Sequence, residues 1–263
     1  MNFIYYVGAF LSLPFLPLMR HQGEQIKKSV PILPEAENPE GHCTSKNATK
    51  TLKLITIGES TIAGVGVKTH QEGFTGSLAE NLAKHLQTNI SWKVYARSGY
   101  NAYKVTENIL PKITEENADL IVIGLGGNDA FQLHTPKTFQ DAMEKLLKTL
   151  KNKFPEAVIV LCDMPPIKDF PAFTPLIKLT IGNLVELLGN QLSILVKDYK
   201  NVYYKNEKIT VKKWIKKLDV QATKADFFSD GVHPSPFAYQ VWGKEMANRI
   251  AEEKEIKKAL VLP

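Results

Sequence analysis

A serine placed directly after an apolar run is the first candidate for chemistry. Residues 55–66 read ITIGESTIAGVG, where the run breaks at Gly58 and delivers Glu59 and Ser60 into a glycine-punctuated turn. The glycines suggest a phosphate cradle, but the spacing does not fit G-x-G-x-x-G and lacks the G-K-[ST] ending of a phosphate loop. Neither lysine nor arginine occurs between Lys53 and Lys68. A serine hydroxyl becomes a nucleophile only when a base takes its proton and a third group orients that base. Among six histidines, only His233 has a carboxylate three residues before it, in the compact stretch SDGVHPS. Asp230 can curl back to the His233 Nδ1–H, with Gly231 easing the turn and Nε2 left for Ser60. Taken alone, that motif is better read as a polar turn.

Acyl transfer also needs donors for an oxyanion. The backbone N–H groups of Ser60 and Gly99 and the side-chain amide of Asn128 could supply them. A side chain at position 99 would obstruct a substrate's approach. Each piece has a bland alternative, Gly99 as a turn and Asn128 as the close of a strand. Their order along the chain strengthens the chemical reading. Strand-like runs at 52–58, 92–97, 120–125, 157–163 and 202–204 alternate with helical patterns near 73–87, 102–113, 136–153, 176–199 and 236–258. Such alternation predicts a doubly wound parallel sheet covered by helices on both faces. Ligands bind such folds at the carboxyl ends of the strands. Gly58-Glu59-Ser60, Ser98-Gly99 and Gly126–Asp129 follow the first three strands, and Asp230–His233 precedes the last helix.

These four blocks resemble the SGNH (GDSL-type) hydrolases, whose Ser, Gly, Asn and His match Ser60, Gly99, Asn128 and His233 over about residues 52–250. The resemblance implies a three-layer α/β/α flavodoxin-like fold with a central parallel sheet of about five strands. It implies ester or thioester hydrolysis with no metal and no cofactor. Ser60 would be the nucleophile, His233 the base and Asp230 its orienter. The usual Gly-Asp-Ser is Gly58-Glu59-Ser60 here, so altered loop packing with retained activity is expected. Position 62 is Ile, so Ser60 does not sit in the G-x-S-x-G of an ordinary α/β-hydrolase. The stretch DMPPIKDFPAFTPL, residues 163–176, is similar to a loop after the fourth strand in a bacterial branch of these hydrolases. Phe131, Met164, Ile167, Phe170 and Phe173 are candidates for an acyl pocket; the alternative is that they fill the core beneath a long loop. Phe227 and Phe228 are undecided in the same way.

Composition sets outer bounds. The 263 residues suit one α/β domain with appendages, here residues 51–253, followed by a C-terminal tail at 254–263. The net charge of +6 is uneven, with seven lysines and one glutamate between Lys200 and Lys217. That block reads first as solvated surface and second as a flap or membrane-facing patch. No nucleic-acid motif accompanies it, so no nucleic-acid partner is expected. Cys43 and Cys162 have neither disulfide settings nor metal-ligand spacing. Residues 2–19 are nearly all apolar and would span about 27 Å as a helix, although Pro14 and Pro17 would kink or break it. A membrane anchor or monotopic segment is the leading reading, ahead of packing on the domain and of a cleaved signal for export. Arg20, Lys27 and Lys28 follow the segment, which favours a catalytic domain on the cytoplasmic side. Residues 20–50, with prolines at 31, 34 and 39, read as a polar linker. The expected function is cleavage of acyl or lipid-like esters through an acyl-enzyme. A carbohydrate O-acetylesterase using the same residues is the alternative, and a non-catalytic binding domain is the more distant one.

Overall fold

Apolar runs of the sequence line up edge to edge in the structure, a computed structural model that describes residues 2–46, 48–208, 210–217 and 221–261. The strands are β1 (Glu40–Cys43), β2 (Thr51–Gly58), β3 (Asn89–Ala96), β4 (Leu120–Gly124), β5 (Val158–Leu161) and β6 (Val202–Tyr203). They form one sheet in the order β1-β3-β2-β4-β5-β6. Every neighbouring pair is parallel except β1 with β3. The helices are α1 (Asn2–Ser12), α2 (Leu16–Ser29), α3 (Phe74–Leu86), α4 (Ala102–Asn108), α5 (Gly127–Phe131), α6 (Pro136–Lys153), α7 (Pro175–Leu195), α8 (Val211–Lys217), α9 (Pro236–Glu252) and α10 (Lys254–Val261).

Successive side chains of a strand point to opposite faces, and both faces here are dry. Ile55, Ile57, Ile121, Ile123, Ile159 and Leu161 join a core with residues of α4, α6 and α7. Leu54, Leu120, Val122, Val158 and Val160 join a second core with residues of α3 and α9. Double burial is why the central strands read as continuous apolar runs. The expected α/β/α layering and the five parallel strands are found.

Two segments differ from the sequence expectation. Within residues 20–50, expected as linker, β1 adds a sixth, antiparallel strand by pairing Glu40–Cys43 with β3. Its sequence, EGHC, has no apolar alternation because it is a polar edge. Of residues 254–263, expected as a tail, 254–261 form α10, where Ile256 is buried against the α3/α9 core, and 262–263 lie outside the described residues. As expected, Pro14 and Pro17 fall where the N-terminal α-helix is interrupted, α1 ending at Ser12 and α2 starting at Leu16. They sit in first-turn positions of a 3₁₀ turn at Leu13–Phe15 and of α2, where a missing N–H costs little.

The topology fixes where a ligand can approach. From β2 the chain goes to β3 on one side, then crosses to β4 on the other, so the switch point lies at the carboxyl end of β2. There Gly58 pairs with Gly124, and Ile62 packs over both. A Cβ on Gly58 would lie 2.4 Å from the Gly124 carbonyl oxygen and 2.4 Å from Ile62 Cγ1. Gly58 is therefore required by close approach of strand, strand and turn. Gly58→Ala is expected to lower stability by about 2 kcal/mol or more, read as a shifted urea midpoint with unchanged slope.

Candidate active site

The turn after β2 leaves Ser60 half-buried at the switch point. Its backbone carbonyl accepts from Val65 N at 3.1 Å. Among the described residues its N–H and hydroxyl have no hydrogen-bond partner, so both are available to a substrate.

Asp230 and His233 lie in the loop before α9. An antiparallel bridge between Phe228 and Pro234 pinches the loop, with Ser229 N donating to His233 O at 2.9 Å. Ser235 then caps α9 by accepting from Ala238 N at 3.1 Å, and Pro236 occupies the first turn. Gly231 has φ of 84°, which the turn requires. Asp230 Oδ2 lies 2.7 Å from His233 Nδ1, while Oδ1 accepts from the backbone N–H of His233 at 2.7 Å and of Val232 at 2.9 Å. Burial alone would raise the fully covered Asp230 carboxyl. The imidazole and the two backbone N–H groups outweigh burial and hold it below the usual aspartate value. An ionised Asp230 accepting from Nδ1–H fixes the tautomer in which Nε2 is basic. That Nε2 has no partner among the described residues; the Asp–His link is closed and the Ser60–His233 link is open. Such links are often long in resting sites and tighten around substrate.

Gly99 follows β3 with φ of 78°, a conformation that favours glycine. A Cβ there would meet no protein atom within 4 Å, so the space in front is free. Its N–H donates to no group among the described residues. Asn128 begins α5 after β4, and its Nδ2 donates to Tyr100 O at 3.0 Å. The same side chain also reaches the Glu59 carboxyl, so the amide is held from two sides.

Glu59 explains how Asn128 is held. Its Oε1 accepts from Gly127 N and its Oε2 from Asn128 N, both at 2.8 Å. Burial pushes its carboxyl up to about 7, the nearby Asp129 adds to the rise, and the two N–H groups oppose it. The sequence reading treated this residue only as loop support, without a partner; no spacing rule points from position 59 to the backbone of 127 and 128.

Beside these groups lies an apolar cavity of about 80 Å³. Glu59 and Thr61, the neighbours of Ser60, and Val232 and Pro234, the neighbours of His233, all contribute to its wall. Of the five pocket candidates, Met164 and Phe170 line it. Ile167 and Phe173 do not, although all four are buried in the α6/α7 core. Phe131 is 40% exposed and stands edge-on to Phe173 with ring centroids 5.4 Å apart. Those three fall on the core or surface side because a run rich in Phe and Pro does not show which way each side chain turns. Phe227 and Phe228 do line the cavity, as do Val211, Trp214 and Trp242, which the sequence reading did not single out. Helical spacing from Pro236 puts Trp242 on a buried face, but nothing local says which cavity it meets.

Comparison with known proteins agrees with this geometry. Residues 56–241 match the GDSL-like lipase/acylhydrolase family. The chain belongs to that family. As a member it is an esterase or acylhydrolase. A GDSL esterase/lipase of Arabidopsis thaliana is 26% identical over 200 residues, covering 70% of this chain and 82% of that protein. Three solved structures share the fold. A member of the lipolytic G-D-S-L family from Veillonella parvula has a TM-score of 0.53 at 14% identity, covering 77% of this chain and 99% of its own. A psychrotrophic esterase from a Pseudoalteromonas species has 0.53 at 18%, covering 76% and 97%. An acetylxylan esterase from Geobacillus stearothermophilus has 0.52 at 15%, covering 81% and 95%.

Glu59 gives a pH signature with a definite sign. Its folded value of about 7 lies above its ordinary 4.5, so the fold binds the proton more tightly than the unfolded chain. Its contribution to stability is full below pH 4.5 and is lost as pH rises towards 7. Glu59→Gln, which cannot ionise, is expected to flatten the fall in stability across that window. The difference between the two profiles amounts to about 3 kcal/mol and is read by urea unfolding at successive pH values.

Proposed function

We propose that the protein is a serine esterase for acyl or lipid-like esters, with Ser60 as nucleophile, His233 as general base and Asp230 as its orienter. The observation that carries this reading is one apolar cavity bounded by the chain neighbours of both Ser60 and His233. Ser60 Oγ attacks the ester carbonyl carbon and its proton passes to His233 Nε2. The carbonyl oxygen, now an oxyanion, rests on the N–H groups of Ser60 and Gly99 and the Asn128 side-chain amide. The intermediate collapses to an acyl-enzyme as His233 returns the proton to the departing alkoxide. Water, deprotonated by His233, then attacks the acyl-enzyme and releases the carboxylic acid. Thioesters follow the same path, with a thiol leaving.

A carbohydrate O-acetylesterase is the second reading, favoured by the structural likeness to an acetylxylan esterase. The apolar character of the cavity supports the first reading over it. We further place the chain at a membrane through residues 2–19, where Phe3, Phe10 and Leu11 are 78%, 72% and 63% exposed. A helix over 3–29 is long and apolar enough to cross a bilayer. Arg20, Lys27 and Lys28 on its domain side favour the cytoplasmic face, with export of a processed chain as the alternative.

A fluorophosphonate probe is expected to label the wild type and not Ser60→Ala; a folded wild type that stays unlabelled would refute the serine mechanism. Asp230→Asn should lower kcat by about 10³-fold or more with little change in KM. Across straight-chain acyl esters of one alcohol, kcat/KM should rise about fourfold per methylene until the cavity is full, from ~0.8 kcal/mol per buried CH₂. An acetyl optimum would favour the carbohydrate reading. Deleting residues 2–19 should shift the protein from the membrane to the soluble fraction after cell lysis.

A further inference from the structure

A second cavity, of about 440 Å³, lies between α8, α9 and the segment after β6. Its size falls in the range of small-molecule sites. Its wall carries four cations, Lys208, Lys213, Lys216 and Arg249, against two carboxylates, Glu207 and Glu245. Most of these charges are already matched. Arg249 pairs with Asp163 and reaches Glu207 at 3.4 Å, Glu207 also meets Lys205 at 3.3 Å, and Lys208 meets Glu186 at 2.7 Å. Glu245 has a partner too. Lys213 and Lys216 differ: both are exposed, and among the described residues neither has a carboxylate partner. Lys213 Nζ instead donates to Lys208 O at 3.2 Å, which brings its ammonium from α8 onto the segment after β6. Lys216, three residues on, shares the Lys213 face of the helix, where like charges repel.

The wall therefore holds a surplus of two ammonium groups, and an anion placed among them would relieve their repulsion. A phosphate monoester carries about two negative charges at pH 7 and three acceptor oxygens, and lysine meets phosphate as a point charge without demanding one geometry. A carboxylate, with a single charge, would leave one ammonium unmatched. Trp214 walls both this cavity and the apolar one, so an apolar flank stands beside the cations. We propose that this cavity is a binding site for a phosphate monoester group, with Lys213 and Lys216 as its principal contacts. A soluble molecule or a lipid headgroup presents the same chemistry to it. The site is separate from Ser60 and stands or falls independently of the esterase reading.

The two sources are tested in parallel on the full chain. Calorimetric titration with inorganic phosphate and with glycerol phosphate reads the soluble source. Flotation with vesicles of phosphatidylcholine, alone or mixed with phosphatidic acid, reads the headgroup source. Saturable binding of the soluble ligands, or a preference for the phosphatidic acid vesicles, is expected, and Lys213→Glu with Lys216→Glu should weaken it about tenfold. Lys212→Glu reverses a charge on the same helix at an exposed lysine outside the cavity wall, and should leave binding within about twofold of the wild type. An unchanged urea midpoint shows that a variant is folded, and Lys213→Gln with Lys216→Gln supplies a second pair that removes charge without reversing it. Any binding to neutral vesicles through residues 2–19 is common to every variant and cancels from the comparison. The proposal is overturned if neither soluble nor vesicle-borne phosphate is bound. It is overturned equally if Lys212→Glu weakens binding as much as the cavity pair does, which would make the attraction a property of the whole lysine-rich stretch.

Discussion

One carboxylate joins the two central strands at the place where chemistry would occur. Glu59 leaves the end of β2 and takes the first two N–H groups of α5, which follows β4. Helix starts leave N–H groups without internal partners, and here the partner comes from the turn that carries Ser60. The candidate nucleophile and the candidate oxyanion donor Asn128 are therefore neighbours, in sequence or by hydrogen bond, of the same side chain. Burial raises this carboxyl to about 7 while the two N–H groups pull it down. The clamp thus sits near the balance between desolvation and charge-assisted hydrogen bonding.

The same ends of the sheet are cross-tied to β3. Asn128 Nδ2 donates to Tyr100 O, and Asp129 Oδ2 accepts from Ala102 N at 3.0 Å at the start of α4. Asp129 is fully buried, its other oxygen 3.0 Å from His134 Nδ1, and burial raises its carboxyl also. Asn101 caps α4 through Lys104 N at 2.8 Å and donates to Gln132 Oε1 at 2.7 Å. The candidate donors at Ser60, Gly99 and Asn128 are thus anchored to three adjacent strands, as a preorganised oxyanion site would require. His233 is supported differently. It rides on a short loop whose geometry comes from Asp230, from the Phe228–Pro234 bridge and from the Ser235 cap of α9. The two halves are built independently and meet at the switch point, which is where an open Ser–His link can close on a substrate without disturbing either.

Sequence spacing was informative where chemistry depends on residue type and strand order. Ser60, Gly99, Asn128 and His233 each follow an apolar run or precede a helix, and parallel topology then puts them on one edge. Asp230 was legible because its partner is three residues away. The sequence shows Gly58 only as the break in an apolar run, whereas the structure assigns it to close packing against Gly124 and Ile62; contact across strands leaves no local trace. Glu59 was visible as a departure, but its acceptors' partners lie about 70 residues on. The pocket was least legible. Met164, Ile167, Phe170 and Phe173 all join the α6/α7 core, yet only Met164 and Phe170 also line the cavity, a choice made by packing and not by hydrophobicity.

Charge composition hid a related feature. The lysine-rich stretch reads as solvated surface, and Lys212, Lys213 and Lys216 are indeed exposed. On the same helix Val211 is buried and Trp214 half-buried, and both line the cavity, so α8 presents an apolar side inwards as it carries charge outwards. Asp169, from the loop of the acyl candidates, holds this arrangement by accepting from Val211 N at 2.9 Å and pairing with Lys224 at 2.6 Å. The N-terminal segment divides in a similar way. Met19 is buried, Leu16 and Ile26 pack on the α6/α7 core, and Gln22 accepts from Thr174 Oγ1 at 2.7 Å, so α2 is seated beside the loop bearing Phe170 and Phe173. The apolar side chains left uncovered belong largely to α1 and the turn after it. Domain packing and membrane insertion are therefore compatible readings of adjacent helices. An α1 covered by lipid would leave α2 holding the domain at a set distance from the lipid surface.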